Sequence, residues 1–247
     1  MQGDSLLAVD IGAATTRAVL FDVVEGEYRL VAAAQAPTTV EAPYMNVLEG
    51  VRSALRQLEV ITGCSLVDPD GELISPSQED GSGVDTFVAT LSAGPPLRAV
   101  VAGLLPDASV DSARRLTETV YARIVNHTSL QDHRRSDELN DALLRLHPDI
   151  VIMTGGTDGG ASRSIQKMLE PIGLASYLMP AEQRPAFLFA GNQSVEAEVR
   201  ELMATKVSSL SISPNVRPTL DSEDLEPAAR ELARLFIDIR RKRMDGV

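Results

Sequence analysis

Apolar positions along the chain follow two different patterns, and the change between them divides the sequence. Residues Leu6 to Asp10, Arg17 to Val24 and Tyr28 to Ala34 are short apolar runs, the last two separated by E-G-E, where Gly26 suits a tight turn. This spacing predicts an antiparallel β-meander. Met45, Val47, Leu48, Val51, Leu55 and Leu58 recur at helical spacing, which predicts a helix over residues 43–60 laid on the meander. Residues 65–84 are rich in Gly, Pro, Ser and Asp, have little apolar surface to pack, and read as a loop or boundary.

Beyond that point the pattern becomes a regular alternation. Apolar strands are predicted near 97–104, 121–127, 149–154, 186–190 and 208–212, and helical segments near 109–119, 136–146, 161–171 and 193–204 follow the first four. In the last of these helices Val195, Val199, Leu202 and Met203 share one face, and Ser194 stands where an N-cap is needed. Such alternation implies a doubly wound, mainly parallel α/β unit with right-handed crossovers. A final helix near 223–243 ends in R-R-K-R, positive charge that suits the helix C-terminus. The expected organisation is therefore a first segment over 1–64, a loop or boundary over 65–84, an α/β unit over 85–215 and a C-terminal helix within 216–247.

Composition narrows the function. With 247 residues, 44% of them hydrophobic, the chain can bury a substantial core. Its 35 acidic and 23 basic residues give a net charge of −12, which argues against nucleic acid or an anionic membrane as partner. A small molecule or another protein is expected instead. The single cysteine, Cys64, cannot form an internal disulfide, and no basic segment followed by an apolar one opens the sequence, so a cytoplasmic location is expected. The longest apolar run, residues 97–105, falls well short of the roughly 18 residues of a membrane span. His127, His133 and His147 lack zinc-ligand spacing, Cys64 lacks a nucleophile's sequence surroundings, and no G-x-S-x-G elbow is present, so covalent hydrolase chemistry is not expected.

Two stretches carry candidate chemistry. In A-V-D-I-G-A-A-T-T-R, the apolar strand ends in Asp10 and a hairpin tip follows. Gly12 would let backbone approach an anion, the amides around Ala13 and Ala14 and the hydroxyls of Thr15 and Thr16 would donate to phosphate oxygens, and Arg17 would add charge. Asp10 would orient waters on a bound Mg²⁺. The alternative is that Asp10 and Gly12 only close a turn. The second stretch, residues 149–160, is a buried strand ending in Gly155, Gly156, Thr157, Asp158, Gly159 and Gly160 before a helix. Ligands of open α/β sheets sit outside the carboxyl ends of strands, and Asn192, at the end of a neighbouring run, would face the same crevice. A tight strand-to-helix turn without a ligand is the alternative there.

The first stretch resembles the first phosphate motif of the actin, sugar-kinase and heat-shock-chaperone ATPase superfamily. In chain order, GPPLRAVVAGLLPDASVDSARR, PDIVIMTGGTDGG, FLFAGNQSVEAEVRELM, ISPNVRP and DLEPAARELARLF resemble the glutamate mutase accessory protein family called GlmL or MutL. The resemblance implies a ribonuclease-H-like, actin-like ATPase start followed by the parallel unit. It also implies ATP and Mg²⁺ as ligands and a role as accessory or reactivating chaperone for a cobalamin-dependent glutamate (methylaspartate) mutase, whose subunit would be the partner. Two departures matter. The second D-x-G-x-x-T motif of the superfamily is absent after residue 160, and Arg17 stands where many relatives have Lys. The chain therefore reads as the N-terminal lobe of an ATPase-like protein whose second lobe is missing, with negligible turnover of its own. No cobalamin is expected, because D-H-R-R-S-D at 132–137 lacks the glycine of the D-x-H-x-x-G signature. The competing reading is a non-catalytic module that binds a small ligand or protein at residues 155–160.

Overall fold

The computed structural model describes residues 5–132 and 134–243, without the side chain of Ser136; His133 lies outside the described residues. Its contacts divide the chain into two units, one running to Pro95 and resuming at Arg240, the other spanning Pro96–Ile239. The boundary thus falls at residue 95 rather than within 65–84, and the segment after 216 belongs largely to the second unit instead of standing apart.

The first unit is a four-stranded sheet. β1 (Leu6–Ile11), β2 (Thr15–Val24) and β3 (Glu27–Pro37) form the expected antiparallel meander. Alternation places Leu7, Val9, Ile11, Ala18, Leu20, Ala32, Ala34 and Ala36 on one buried face. α1 (Val47–Thr62) covers that face with Val47, Val51, Ala54, Leu55 and Leu58. It begins at residue 47, not 43, because the Asn46 side chain accepts from the Leu48 amide as an N-cap, and it ends where Gly63 takes the left-handed conformation. Leu58 is completely buried, and its side chain contributes about 2 kcal/mol by area alone.

A fourth strand, β4 (Thr86–Leu91), pairs in parallel with β1, giving the order β3-β2-β1-β4 of a ribonuclease-H-like half. Sequence reading passed over β4 because it is an edge strand exposed at five of six positions, so it carries no buried-face alternation. The 65–84 segment is mostly irregular, as expected, yet it packs: Leu66 and Val84 are fully buried. Asp85 fastens it by accepting from the amides and hydroxyls of Ser5 and Ser77, and these bonds, those of the Ser77 hydroxyl foremost, bring its carboxyl down to about 2.

The second unit is the doubly wound fold. β5 (Leu97–Ala102), β6 (Ala122–Thr128), β7 (Ile150–Gly155), β8 (Ala186–Gly191) and β9 (Ser209–Ile212) are all parallel, in the order β6-β5-β7-β8-β9. Successive strand residues feed opposite faces. Val100, Val151, Met153, Phe187 and Phe189 pack on one side with α3 (Ser136–Leu146), α4 (Ser162–Leu178) and α5 (Glu196–Met203). Ala99, Val101, Ile150, Ile152 and Leu188 pack on the other with α2 (Asp111–Thr117) and α6 (Glu226–Arg241). α4 runs seven residues past its expected end at Pro171, which sits inside the helix. Proline forfeits one hydrogen bond there, but Ile172 and Ala175 beyond it are fully buried and hold the helix on. In the R-R-K-R run, Arg240 is buried while Arg241 and Lys242 are exposed. No helix of the described residues is long and apolar enough to cross a membrane.

Candidate functional site

The β1–β2 hairpin tip is tight. The Gly12 amide donates to the Thr15 carbonyl at 3.1 Å, and a Cβ on Gly12 would lie 2.9 Å from that same oxygen. Close backbone approach, rather than a positive φ angle, therefore demands glycine. The turn takes up the Gly12 amide, but those of Ala13 and Ala14, at the exposed tip, have no partner among the described residues. The tip is braced from below. Thr38 donates its amide to the Ala14 carbonyl (3.0 Å) and its hydroxyl to that of Gly12 (2.8 Å). With its only proton so placed, the Thr38 hydroxyl accepts from Thr16 at 3.0 Å.

Thr16 is fully buried in this brace and cannot donate to a phosphate, which corrects its expected role. Strand alternation is the cause: Thr15 and Arg17 face one side of β2 and Thr16 the other. On the side away from α1, the pairing registers place Thr90, Asp10, Arg17 and Gln35 in one row across all four strands. Thr90 Oγ1 donates to Asp10 Oδ1 at 2.6 Å, Asp10 Oδ2 has no partner, and the exposed Arg17 makes no ion pair among the described residues. Five of the expected residues thus offer free groups on one hairpin among the described residues: Asp10 through Oδ2, the Ala13 and Ala14 amides, Thr15 and Arg17. No group of three or more His, Cys, Asp or Glu gathers among the described residues. One carboxylate beside free amides suits Mg²⁺, which keeps several waters and takes other ligands from phosphates. A cavity of about 490 Å³ in this unit lies toward the other end of the sheet, against Phe21, Ile61, Cys64 and Asp85, and contains none of these residues.

The loop after β7 is built differently. Gly155 has φ +116°, and a Cβ there would lie 2.9 Å from Ser109 Cβ, so the segment after β5 fills the sheet's switch point; the Thr154 hydroxyl bonds the Ser109 carbonyl at 2.6 Å. Asn192, completely buried, accepts from the Gly159 amide (3.0 Å) and donates to the Gly160 carbonyl. Asp158 Oδ1 accepts from the Gln193 amide (3.1 Å) and from Asn215 Nδ2 (2.9 Å), which also bonds the Gly156 carbonyl. The amides of Asp158 and Gly160 bond the carbonyls of Pro218 and Thr157. Gly155, Gly156, Thr157, Asp158, Gly159, Gly160 and Asn192 do come together, as a turn whose polar groups largely satisfy one another.

Asn215, Thr38 and Thr90 are the residues sequence reading missed. Asn215 lies in the quoted I-S-P-N-V-R-P segment, but nothing local marks its reach across to residue 158. Its segment is clamped in turn: Arg217 Nε donates to Ser112 Oγ (2.7 Å), and Glu223 Oε1 accepts from Arg115 (2.7 Å) and from Ser112. The Arg115 guanidinium, with help from Ser112, holds the Glu223 carboxyl below its usual range.

Comparison with known proteins adds a family. The MutL protein family model matches residues 6–245. A curated relative, Protein MutL of Clostridium tetanomorphum, is 27% identical over 241 residues, covering 95% of this chain but 44% of the relative, so the chain spans less than half of that protein's length. Among solved structures, the Aquifex aeolicus PPX-GPPA enzyme aligns over 76% of this chain and 67% of its own at 9% identity, with a TM-score of 0.20.

Proposed function

The chain belongs to the MutL protein family, and from that premise we propose that its first unit is the phosphate-gripping part of a nucleotide-binding accessory protein, a reactivating chaperone for a cobalamin-dependent mutase. The observation that carries this reading is the pair of unpartnered amides at Ala13 and Ala14, set at the tip of the hairpin that also presents Asp10, Thr15 and Arg17 on its open face. Backbone amides and a hydroxyl donate to phosphate oxygens, and Arg17 offsets their charge. Asp10, with one carboxylate oxygen free, accepts hydrogen bonds from metal-bound water. Mg²⁺, when bound with the nucleotide, supplies the remaining charge neutralisation. All these groups approach from a single hairpin, whereas phosphoryl transfer is catalysed by clamping the transferred group from several sides. Binding with negligible turnover is the expected behaviour.

The 155–160 loop supports this assignment by contrast, since Asp158 Oδ1 already has two donors and the amides of Asp158, Gly159 and Gly160 already have acceptors. A titration of Mg·ATP into the chain and into two variants tests the reading. Asp10→Ala should lose binding while Asp158→Ala keeps it. The reverse pattern would move the ligand site to the second unit.

A further inference from the structure

The row of side chains on the open sheet face contains one hydrogen bond that ordinary strand packing does not require. Thr90 Oγ1 donates to Asp10 Oδ1 at 2.6 Å, the length of a charge-assisted O–H···O⁻ bond. Both residues are exposed, so neither must find a protein partner to escape a desolvation penalty. The backbones beneath them are locked: Asp10 and Thr90 are register partners in the parallel β1–β4 pair, and immediately beyond, the amides of Ser92 and Ala93 both donate to the Ile11 carbonyl, at 2.9 and 3.1 Å. A carboxylate on an exposed strand otherwise samples several rotamers. Here one oxygen is tied sideways to β4, and the other remains free on the face shared with Arg17.

We propose that Thr90 is a positioning residue: it fixes the Asp10 carboxylate so that its free oxygen receives metal-bound water beside the nucleotide phosphates. This rests on the reading of Asp10 given above. Partners that orient a metal-binding group change metal affinity by about 10-fold or more when removed, without touching the metal. A threonine that merely fills an edge strand would affect stability alone.

The test is ATP affinity measured by calorimetry on the 247-residue chain, at several Mg²⁺ concentrations and in EDTA. Thr90→Val keeps the β-branched shape, so the strand should fold, and Thr90→Ala provides a second hydroxyl-free variant. In the parent, Mg²⁺ should raise ATP affinity, and an affinity the same in EDTA would overturn the reading of Asp10. Both variants should lose about 10-fold of that gain, leave the EDTA affinity unchanged, and be rescued by Thr90→Ser. If Thr90→Val and Thr90→Ala retain the full Mg²⁺ gain while Asp10→Asn abolishes it, Asp10 stands and the role of Thr90 is refuted. Equal weakening with and without Mg²⁺ also refutes it, since Thr90 would then act through the fold. If Asp10→Asn itself leaves the Mg²⁺ gain intact, the underlying reading of Asp10 fails and Thr90 has nothing to position.

Discussion

Replacing Asn192 by alanine should cost the second unit about 3 kcal/mol. The side chain is completely buried and makes four hydrogen bonds: from the Gly159 amide, the Ser194 amide and the Ser194 hydroxyl to its Oδ1, and from its Nδ2 to the Gly160 carbonyl. The bond from Ser194 is an N-cap, worth about 1 kcal/mol. The Gly159 and Gly160 groups lie near the surface and regain water when released, so each contributes a net of about 1 kcal/mol rather than a full burial penalty. Asn192→Asp keeps the acceptor but sets a carboxylate oxygen against the Gly160 carbonyl at a buried position, and should also destabilise, by about 1–3 kcal/mol. Because the chain has two units, a single melting curve does not isolate the effect. Hydrogen exchange at the Gly159 and Ser194 amides, alongside urea denaturation, does. An Asn192→Ala protein within about 0.5 kcal/mol of the parent, with those amides equally protected, would refute the argument that this loop is a structural lock.

Gly12→Ala should destabilise the first unit by about 1–3 kcal/mol, since its Cβ would press on the Thr15 carbonyl; hydrogen exchange in β1 and β2 that stays unchanged would contradict the tight-turn account. Thr16→Val removes the donor to Thr38 and should cost about 1 kcal/mol by the same exchange measurement while leaving ATP affinity unaltered, an unaltered affinity being what its buried position requires. Glu223 carries a pH prediction. Its carboxyl titrates lower when folded than when unfolded, so its stabilisation is present above the unfolded value near 4.3 and is lost as pH falls through the lower folded value. Acid should therefore loosen the segment around residues 215–223, seen as faster hydrogen exchange, and Glu223→Gln should remove that component of the pH response.

The regular elements were legible because their signals are local. α3 and the strands of the parallel sheet fall within a few residues of their expected places: the central β5, β7 and β8, buried on both faces, read as near-continuous apolar runs, and an amphipathic helix reads as a repeat. β4 was not legible: its stability comes from pairing with β1 some 80 residues earlier, and its exposed side chains carry no pattern. The candidate site was legible in part. Composition and spacing picked out Asp10 through Arg17, but treating Thr15 and Thr16 as equivalent ignored the alternation that sends one into the core. Which polar groups of the 155–160 loop are free depends on Asn192 and Asn215, which reach it from other strand ends, and no local pattern reports such distant partners.

The most direct test of the central claim is a ¹⁵N–¹H chemical-shift titration of the labelled chain with Mg·ATP. The account predicts shifts concentrated at the Ala13 and Ala14 amides and their neighbours from Asp10 to Arg17, with Thr90 following and Gly155 to Gly160 unmoved. Shifts centred on Gly155 to Gly160, with the hairpin tip unaffected, would contradict it.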